Sequence, residues 1–211
     1  MLHVARGLAS YALPMIGINL GRLGFLTDLS ADRMYEDMDE LLRGEFTVEE
    51  RIMLQVQISN GRKTLNETVA LNDVTLTKGN TGRMIEFDTH VNSEPLGRTR
   101  GDGVIIATPT GSTAHSLSCG GPIVMPDSNN FIITPISSHN LNVRPLILSD
   151  NNTIQIHLDQ RFKSFNLSID GQTERITNKH IVYLQKENFK INFLITEKNN
   201  YFDTLRNKLL W

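Results

Sequence analysis

Apolar residues recur along this chain with two different periods. In LHVARGLASYA, Leu2, Ala5, Leu8 and Ala9 share one face at helical spacing, and Pro14 ends the pattern. MIGIN then reads as a short buried strand, and the stretch from Gly17 to Gly24 places three glycines within eight residues. Such a run lets backbone approach a ligand or simply makes a tight turn. A second helix is predicted before Gly44, with Met34, Met38, Leu41 and Leu42 on one face, Asp28 or Ser30 as its cap, and Gly44 just past its last turn. Beyond residue 44 the period becomes two. Ile52, Leu54, Val56 and Ile58 alternate with polar neighbours, as do Ile85–Val91, Ile154–Leu158, Phe165–Ile169 and Phe189–Ile195. Clusters of Asn, Asp, Gly and Ser separate these runs, which predicts strands of one or two antiparallel sheets. YFDTLRNKLLW closes the chain as a short helix. The fold class is therefore α+β. It comprises a remnant of an N-terminal α/β domain (1–44), an antiparallel β-sandwich-like domain (45–195) and a short C-terminal helix (196–211) packing back on the N-terminal part.

Composition narrows the class without naming a function. Of 211 residues, 39% are hydrophobic and 21% charged, ordinary values for a soluble globular protein. Lys and Arg number 21 against 23 Asp and Glu, a net charge of -2, which argues against a nucleic-acid footprint. No apolar run reaches the length of a membrane span, so no membrane partner is expected. The lone cysteine, Cys119, permits no internal disulfide and suits a reducing, cytoplasmic setting. The first helix begins at the initiator Met with no capping residue before it, so a missing upstream segment is expected.

Chemistry concentrates in GDGVIIATPTGSTAHSLSCGG, Gly101 to Gly121. A P-loop needs Gly-Lys-Ser/Thr and none occurs there; a dinucleotide fingerprint needs Gly where Ile106 stands; the G-x-S-x-G elbow does not match. A triad of Ser112, His115 and Asp102 can be written, but the first two lie only three residues apart in a turn. What remains is a strand, a turn and a helix start, where backbone donors of Gly111, Ser112 and Thr113 would form a lip for ribose, adenine or phosphate. A capped helix start without a ligand is the alternative. In ALNDVTLTKG, Asn72 and Asp73 stand side by side in an otherwise apolar strand, where polar groups need partners. An amide and a carboxylate together suit both hydroxyls of a ribose; a strand end with local hydrogen bonds is the plainer reading. Asp170–Gly171 in SIDGQTERI reads as a hairpin turn. His139 and His157 lack ligand spacing, so no zinc site is expected.

Four blocks, GINLGRLGFLTDL, ALNDV, RGDGVIIATPTGSTAHSLSCGGPIV and SHNLNVRPLIL, together resemble the NAD kinases in order and spacing, over essentially the whole chain. The resemblance implies transfer of the ATP γ-phosphoryl group to the 2′-hydroxyl of the adenosine ribose of NAD, giving NADP. ATP would come with a divalent metal, Mg2+. Asn72 and Asp73 match the family's ribose-binding pair. Thr113, Ala114, His115, Ser116, Leu117 and Ser118 match its TAYSLS-like adenine-side segment, with His115 where Tyr is usual. Arg83, Arg100, Asp102 and Gln172 match further dinucleotide contacts, some reached across a subunit interface, since members are homo-oligomers, dimers or tetramers. The family's Gly-Gly-Asp-Gly loop, to whose Asp the role of catalytic base is assigned, has no counterpart here. RGDG at Arg100–Gly103 adjoins TPTGSTA and matches a substrate-side position instead. The resemblance thus implies an apparently truncated member with no catalytic residue of its own. It should be nearly inactive as written, since loss of a general base alone costs about 10²- to 10⁴-fold. A non-catalytic NAD(P)-binding module and a lipid-kinase relative are the alternatives.

Overall fold

The computed structural model describes residues 1–11, 13–20, 24–27, 29–79, 82–196 and 200–209. In chain order the elements are α1 (Leu2–Leu8), β1 (Ile18–Asn19), β2 (Leu29–Ser30), α2 (Met34–Leu42), β3 (Phe46–Arg51), β4 (Leu54–Ser59), β5 (Thr64–Ala70) and β6 (Asp73–Lys78). There follow β7 (Ile85–Val91), β8 (Glu94–Gly101), β9 (Gly103–Ala107), a 3-10 turn (Thr110–Thr113), α3 (His115–Ser118), β10 (Asn130–Ile136) and β11 (Leu146–Ser149). The chain closes with β12 (Ile154–Leu158), β13 (Phe165–Ile169), β14 (Gln172–Ile176), β15 (Ile181–Lys186), β16 (Ile191–Thr196) and α4 (Tyr201–Leu209). Two compact units result. One contains residues 1 and 3–51 with the segment from Lys190 onward; the other contains residues 2 and 52–189. The units divide at 51/52 and 189/190 rather than at 44/45 and 195/196, because β3 and β16 pair with each other and with nothing in the large sheets.

In the smaller unit, β1 and β2 pair in parallel, and β3 and β16 pair antiparallel. Met15 exchanges backbone hydrogen bonds with Asn192 and Leu194, both at 2.8 Å. Helix α2 ends as expected: Gly44 has φ +79 and its N–H reaches Leu41 O at 3.0 Å, while Glu45 N–H reaches Glu40 O at 3.0 Å. That pair of bonds satisfies the last carbonyls of a helix whose following residue must be left-handed. Of its two expected caps, Asp28 and the side chain of Ser30 lie outside the described residues. The expected apolar face is also not a buried stripe. Met34 and Leu41 are half-buried, Met38 and Leu42 exposed, and the buried residue of the helix is Asp37. In α4, Asn200 Oδ1 accepts the Asp203 N–H at 2.9 Å, an N-cap, and the Lys208 ammonium sits 4.3 Å from the centre of the Phe25 ring. Gly21, part of the glycine-rich run, lies outside the described residues. Gly17 is needed for close backbone contact, since a Cβ there would stand 2.3 Å from Leu26 O.

The larger unit is two six-stranded sheets, ordered β11-β10-β9-β6-β13-β14 and β5-β4-β15-β12-β7-β8, every pairing antiparallel. Alternating side chains from both sheets meet in one core, including Leu54, Val56, Leu76, Phe87, Phe131 and Phe165. The run Gly103–Ala107 is buried at every position, which an alternating strand is not. Val104 and Ile106 enter the inter-sheet core, while Ile105 and Ala107 pack with Val124 and Ile132 under the segment that follows α3. Coverage on both faces is why this strand reads as a continuous apolar run.

On the outer face of the second sheet, His90 and His157 lie on paired strands with ring centres 4.7 Å apart. Burial, and secondarily His90, hold His157 below its ordinary 6.5. The unfolded chain then binds more protons than the folded one between that lowered value and 6.5. Stability is complete above about pH 6.5 and falls as pH drops through the window below it. We expect the melting temperature to decline with acidification there, and His157→Gln to flatten the decline; an unchanged slope in the variant refutes the assignment.

Candidate functional site

The chain crosses between the two sheets at Leu71 and Asn72, leaving β5 in one sheet and entering β6 in the other. Asn72 and Asp73 therefore sit at a strand start, not within an apolar strand. The plainer local reading, a strand end with local hydrogen bonds, describes their backbone. Their side chains are less easily dismissed. Among the described residues, buried Asn72 Oδ1 has no hydrogen-bond partner, a situation that costs free energy unless a ligand or water completes it. Asp73 is 8% exposed, and its Oδ1 accepts the Thr75 hydroxyl at 3.0 Å. Burial pushes its carboxyl above the usual carboxylate range; the Thr75 hydroxyl opposes this, Asp170 adds to it, and His115 opposes it weakly.

Beside this corner lies the turn after β9. Thr108 is buried; its hydroxyl donates to Leu71 O at 2.5 Å and its N–H to Asn72 O at 2.9 Å. Gly111 passes so close to the corner that a Cβ would stand 2.0 Å from Asn72 O. Two of the three backbone donors expected to form a ligand lip are already engaged. Gly111 N–H donates to Thr108 Oγ1 at 3.2 Å, and Ser112 N–H donates to Pro109 O at 3.2 Å. Those two donors are thus held by Thr108 and Pro109, just ahead of the 3-10 turn.

Two hydroxyls of the same segment also face inward. Ser112 donates to Val124 O at 3.3 Å and accepts the Val124 N–H at 3.1 Å, while Ser116 Oγ is 2.8 Å from Thr134 Oγ1. Both are fully buried and anchor the segment. Thr113, Ala114 and Leu117 are half-buried and His115 and Ser118 exposed; these form the accessible side of the segment. The Thr113 hydroxyl donates to Thr110 O at 3.4 Å. Cys119 lies near enough for the Asp73 charge to act on it, and its thiol is pushed up first by burial and then by that charge.

Two of the remaining candidates lie at opposite ends of the first sheet. Gln172 begins β14 opposite Ile169, which pairs with Val74, so it lies at the same end as Asp73. Asp102 lies at the other end: its O accepts the Lys78 N–H at 3.1 Å, and its Oδ1 is 2.7 Å from Lys78 Nζ. Lys78 is five residues beyond Asp73 along β6, a separation of about 16 Å. On the second sheet, Arg100 is the penultimate residue of β8, opposite Glu86, and Arg83 precedes β7, whose Ile85 pairs with Gly101; both adjoin Asp102 through Gly101. The triad of Ser112, His115 and Asp102 is excluded on the same ground, because the whole of β9 separates Asp102 from the other two and Ser112 is enclosed. Sequence reading missed Asp170 as more than a turn residue, and missed Thr108; an acidic rather than neutral residue in the turn was the only signal of the first.

The site's segments coincide with what known proteins match. The ATP-NAD kinase C-terminal domain model matches residues 71–194, and the ATP-NAD kinase N-terminal domain model matches residues 1–46. By class the chain is thus a nucleotide-dependent phosphotransferase. It is 41% identical to an NAD kinase of Thiobacillus denitrificans over 212 aligned residues, covering 100% of this chain and 73% of that protein. With an NAD kinase of Chlorobaculum tepidum it shares 43% identity, covering 96% of this chain and 71% of that one. A crystal structure of yeast NADH kinase complexed with NADH superimposes with a TM-score of 0.90 at 30% identity, over 99% of this chain and 62% of that chain. An Archaeoglobus fulgidus NAD kinase in complex with ATP gives a TM-score of 0.75 at 27% identity, over 93% of this chain and 72% of that one. The chain belongs to the NAD kinase family, and the lipid-kinase alternative is set aside.

Proposed function

We propose that the chain binds NAD through the Asn72–Asp73 corner and serves the ATP-dependent phosphorylation of its adenosine-ribose 2′-hydroxyl. One observation carries this: a buried amide oxygen without a partner among the described residues stands next to a buried carboxylate, at the crossing between two sheets. A ribose with adjacent hydroxyls supplies the donors such a pair lacks. In the reaction the 2′-oxygen bonds to the γ-phosphorus as the bond from that phosphorus to the β,γ-bridging oxygen breaks, ADP departs with that oxygen, and the hydroxyl proton passes to solvent. The family relatives are named for this substrate, and one solved neighbour holds NADH and another ATP. Thr113, Ala114, His115, Leu117 and Ser118 supply the adenine-side wall, Ser116 supports it from within, and Gln172 borders the same end.

Arg83, Arg100 and Asp102, at the opposite end of β6, suit delivery to the site of a second copy. This reading makes the protein a homo-oligomer, to be checked by sedimentation. A place in NADP biosynthesis and a cytoplasmic location complete it. Among the described residues no helix is long and apolar enough to cross a membrane. They also contain no group of three or more His, Cys, Asp or Glu placed to hold a metal. Mg2+ would arrive with the ATP phosphates, which hold it with few protein ligands.

Calorimetry with NAD, with a coupled assay of NADP formation from ATP, tests the proposal. NAD binding with turnover supports the kinase; binding without turnover supports a binding module; no binding refutes both. The pH dependence adds a sharper check. Ribose hydroxyls donate to the ionised carboxylate, so affinity should be constant at neutral pH and fall as Asp73 takes up a proton. Burial places that fall above the ordinary 3.8. An inflection that persists unchanged in Asp73→Asn would assign it to another group.

A further inference from the structure

Asp170 opens the type I′ turn between β13 and β14, with φ +48 followed by Gly171 at φ +82. Its carboxylate reaches the crossing between the two sheets. Oδ2 accepts the Leu71 N–H at 2.8 Å, and Oδ1 accepts the Asn72 N–H at 2.8 Å and the Asp73 N–H at 3.2 Å. The Asp170 N–H donates in return to Asp73 O at 3.0 Å. Three successive backbone donors converging on one carboxylate form a concave anion-binding geometry, here filled by the protein's own side chain. These residues are 97 to 99 positions apart in sequence, so no local turn rule links them.

The arrangement falls where the backbone most needs it. Leu71 and Asn72 lie between strands of different sheets, outside both ladders. Thr108 holds the carbonyls of the same two residues from the other side. Without Asp170, three amides at a partly buried crossing would lose their acceptor, and the direction of the two side chains they carry would no longer be fixed. A charge-assisted bond to a backbone N–H is stronger than a neutral one. Aspartate also tolerates the left-handed conformation the turn requires.

We infer that Asp170 is a positioning residue: it sets the direction of Asn72 and Asp73 through their backbone, without touching the dinucleotide. The inference rests on the ribose-binding reading of that pair. Two variants keep the turn, because Asn and Gly both accept φ near +50. Asp170→Asn retains one acceptor oxygen; Asp170→Gly retains none.

The test is calorimetry on both variants and the unaltered chain with NAD and with its 2′-deoxyadenosine analogue, alongside hydrogen exchange of the amides at 71–73. In Asp170→Gly, exchange at 71–73 should rise more than about tenfold above wild type, and NAD affinity should fall about tenfold. Discrimination between NAD and the deoxy analogue should narrow, since it is the hydroxyl partners that lose their direction. Asp170→Asn should lie between the two. A structural role alone would lower the melting temperature and both affinities equally, leaving discrimination intact, and that result overturns the inference. Wild-type exchange rates at 71–73 in Asp170→Gly overturn it as well. If Asp170→Gly does not fold, Asp170→Asn carries the same comparison. Failure of the unaltered chain to bind NAD would instead refute the dinucleotide reading, with the exchange result still deciding whether Asp170 holds the corner.

Discussion

Replacing Asp73 by alanine is expected to weaken NAD binding by about 10- to 100-fold. A hydrogen bond to a charged group contributes roughly 1.5–3 kcal/mol, and each 1.4 kcal/mol is tenfold in affinity. The carboxylate is nearly enclosed and accepts the Thr75 hydroxyl, and its remaining acceptor capacity is directed at whatever occupies the corner. Folding should not suffer in proportion. Burying an ionised carboxylate is itself unfavourable, so the melting temperature of Asp73→Ala should stay near or above that of the unaltered chain. Calorimetry and a thermal melt on the same preparation separate the two effects. Undiminished affinity would remove Asp73 from the site; a collapse of the melt in step with affinity would make it a structural residue.

The second large effect is expected from Gly111→Ala. The added Cβ would stand 2.0 Å from Asn72 O and 2.5 Å from Asn72 C, both backbone atoms that no side-chain rotation can move aside. Either the turn at Thr110–Thr113 or the corner itself must shift. Overpacking of this kind costs about 1–3 kcal/mol, and for a chain of this size each kcal/mol is about 2–4 °C in melting temperature. NAD affinity should fall by at least about tenfold beyond that, because the displaced atoms belong to the residue whose amide faces the ligand. Gly103→Ala is the matched control. Its Cβ would stand 2.0 Å from Leu76 O, the same collision inside the β6–β9 ladder. It should destabilise the sheet while the folded fraction binds NAD normally. Equal losses of affinity in both variants would mean that Gly111 has no special relation to the site.

Much of the fold is written in periodicity. The alternations at Ile85–Val91, Ile154–Leu158 and Phe165–Ile169 each became a strand, because one face of each meets the inter-sheet core. Phe189–Ile195 was equally visible as a strand, yet β16 pairs with β3 in the other unit, which periodicity does not encode. Edge strands such as β8, with mostly exposed residues, carry little apolar pattern and were not legible. Gly44 and Asp170–Gly171 were legible because left-handed positions leave a direct mark on residue choice.

Of the candidate site, the sequence alone identified the residue types and their blocks: an adjacent amide and carboxylate, a hydroxyl-rich turn, a hairpin Asp-Gly. Those follow from local chemistry, and local chemistry is what a single chain displays. Tertiary structure decided the rest. It turned Ser112 and Ser116 inward, engaged the Gly111 and Ser112 N–H groups, and set Asp102 beside Lys78, which lies about 16 Å along β6 from Asp73. It also brought Asp170 under three amides nearly a hundred residues earlier in the chain. The physical reason is the antiparallel ladder: pairing fixes which ends of distant strands coincide, and no property of a residue's sequence neighbours carries that information.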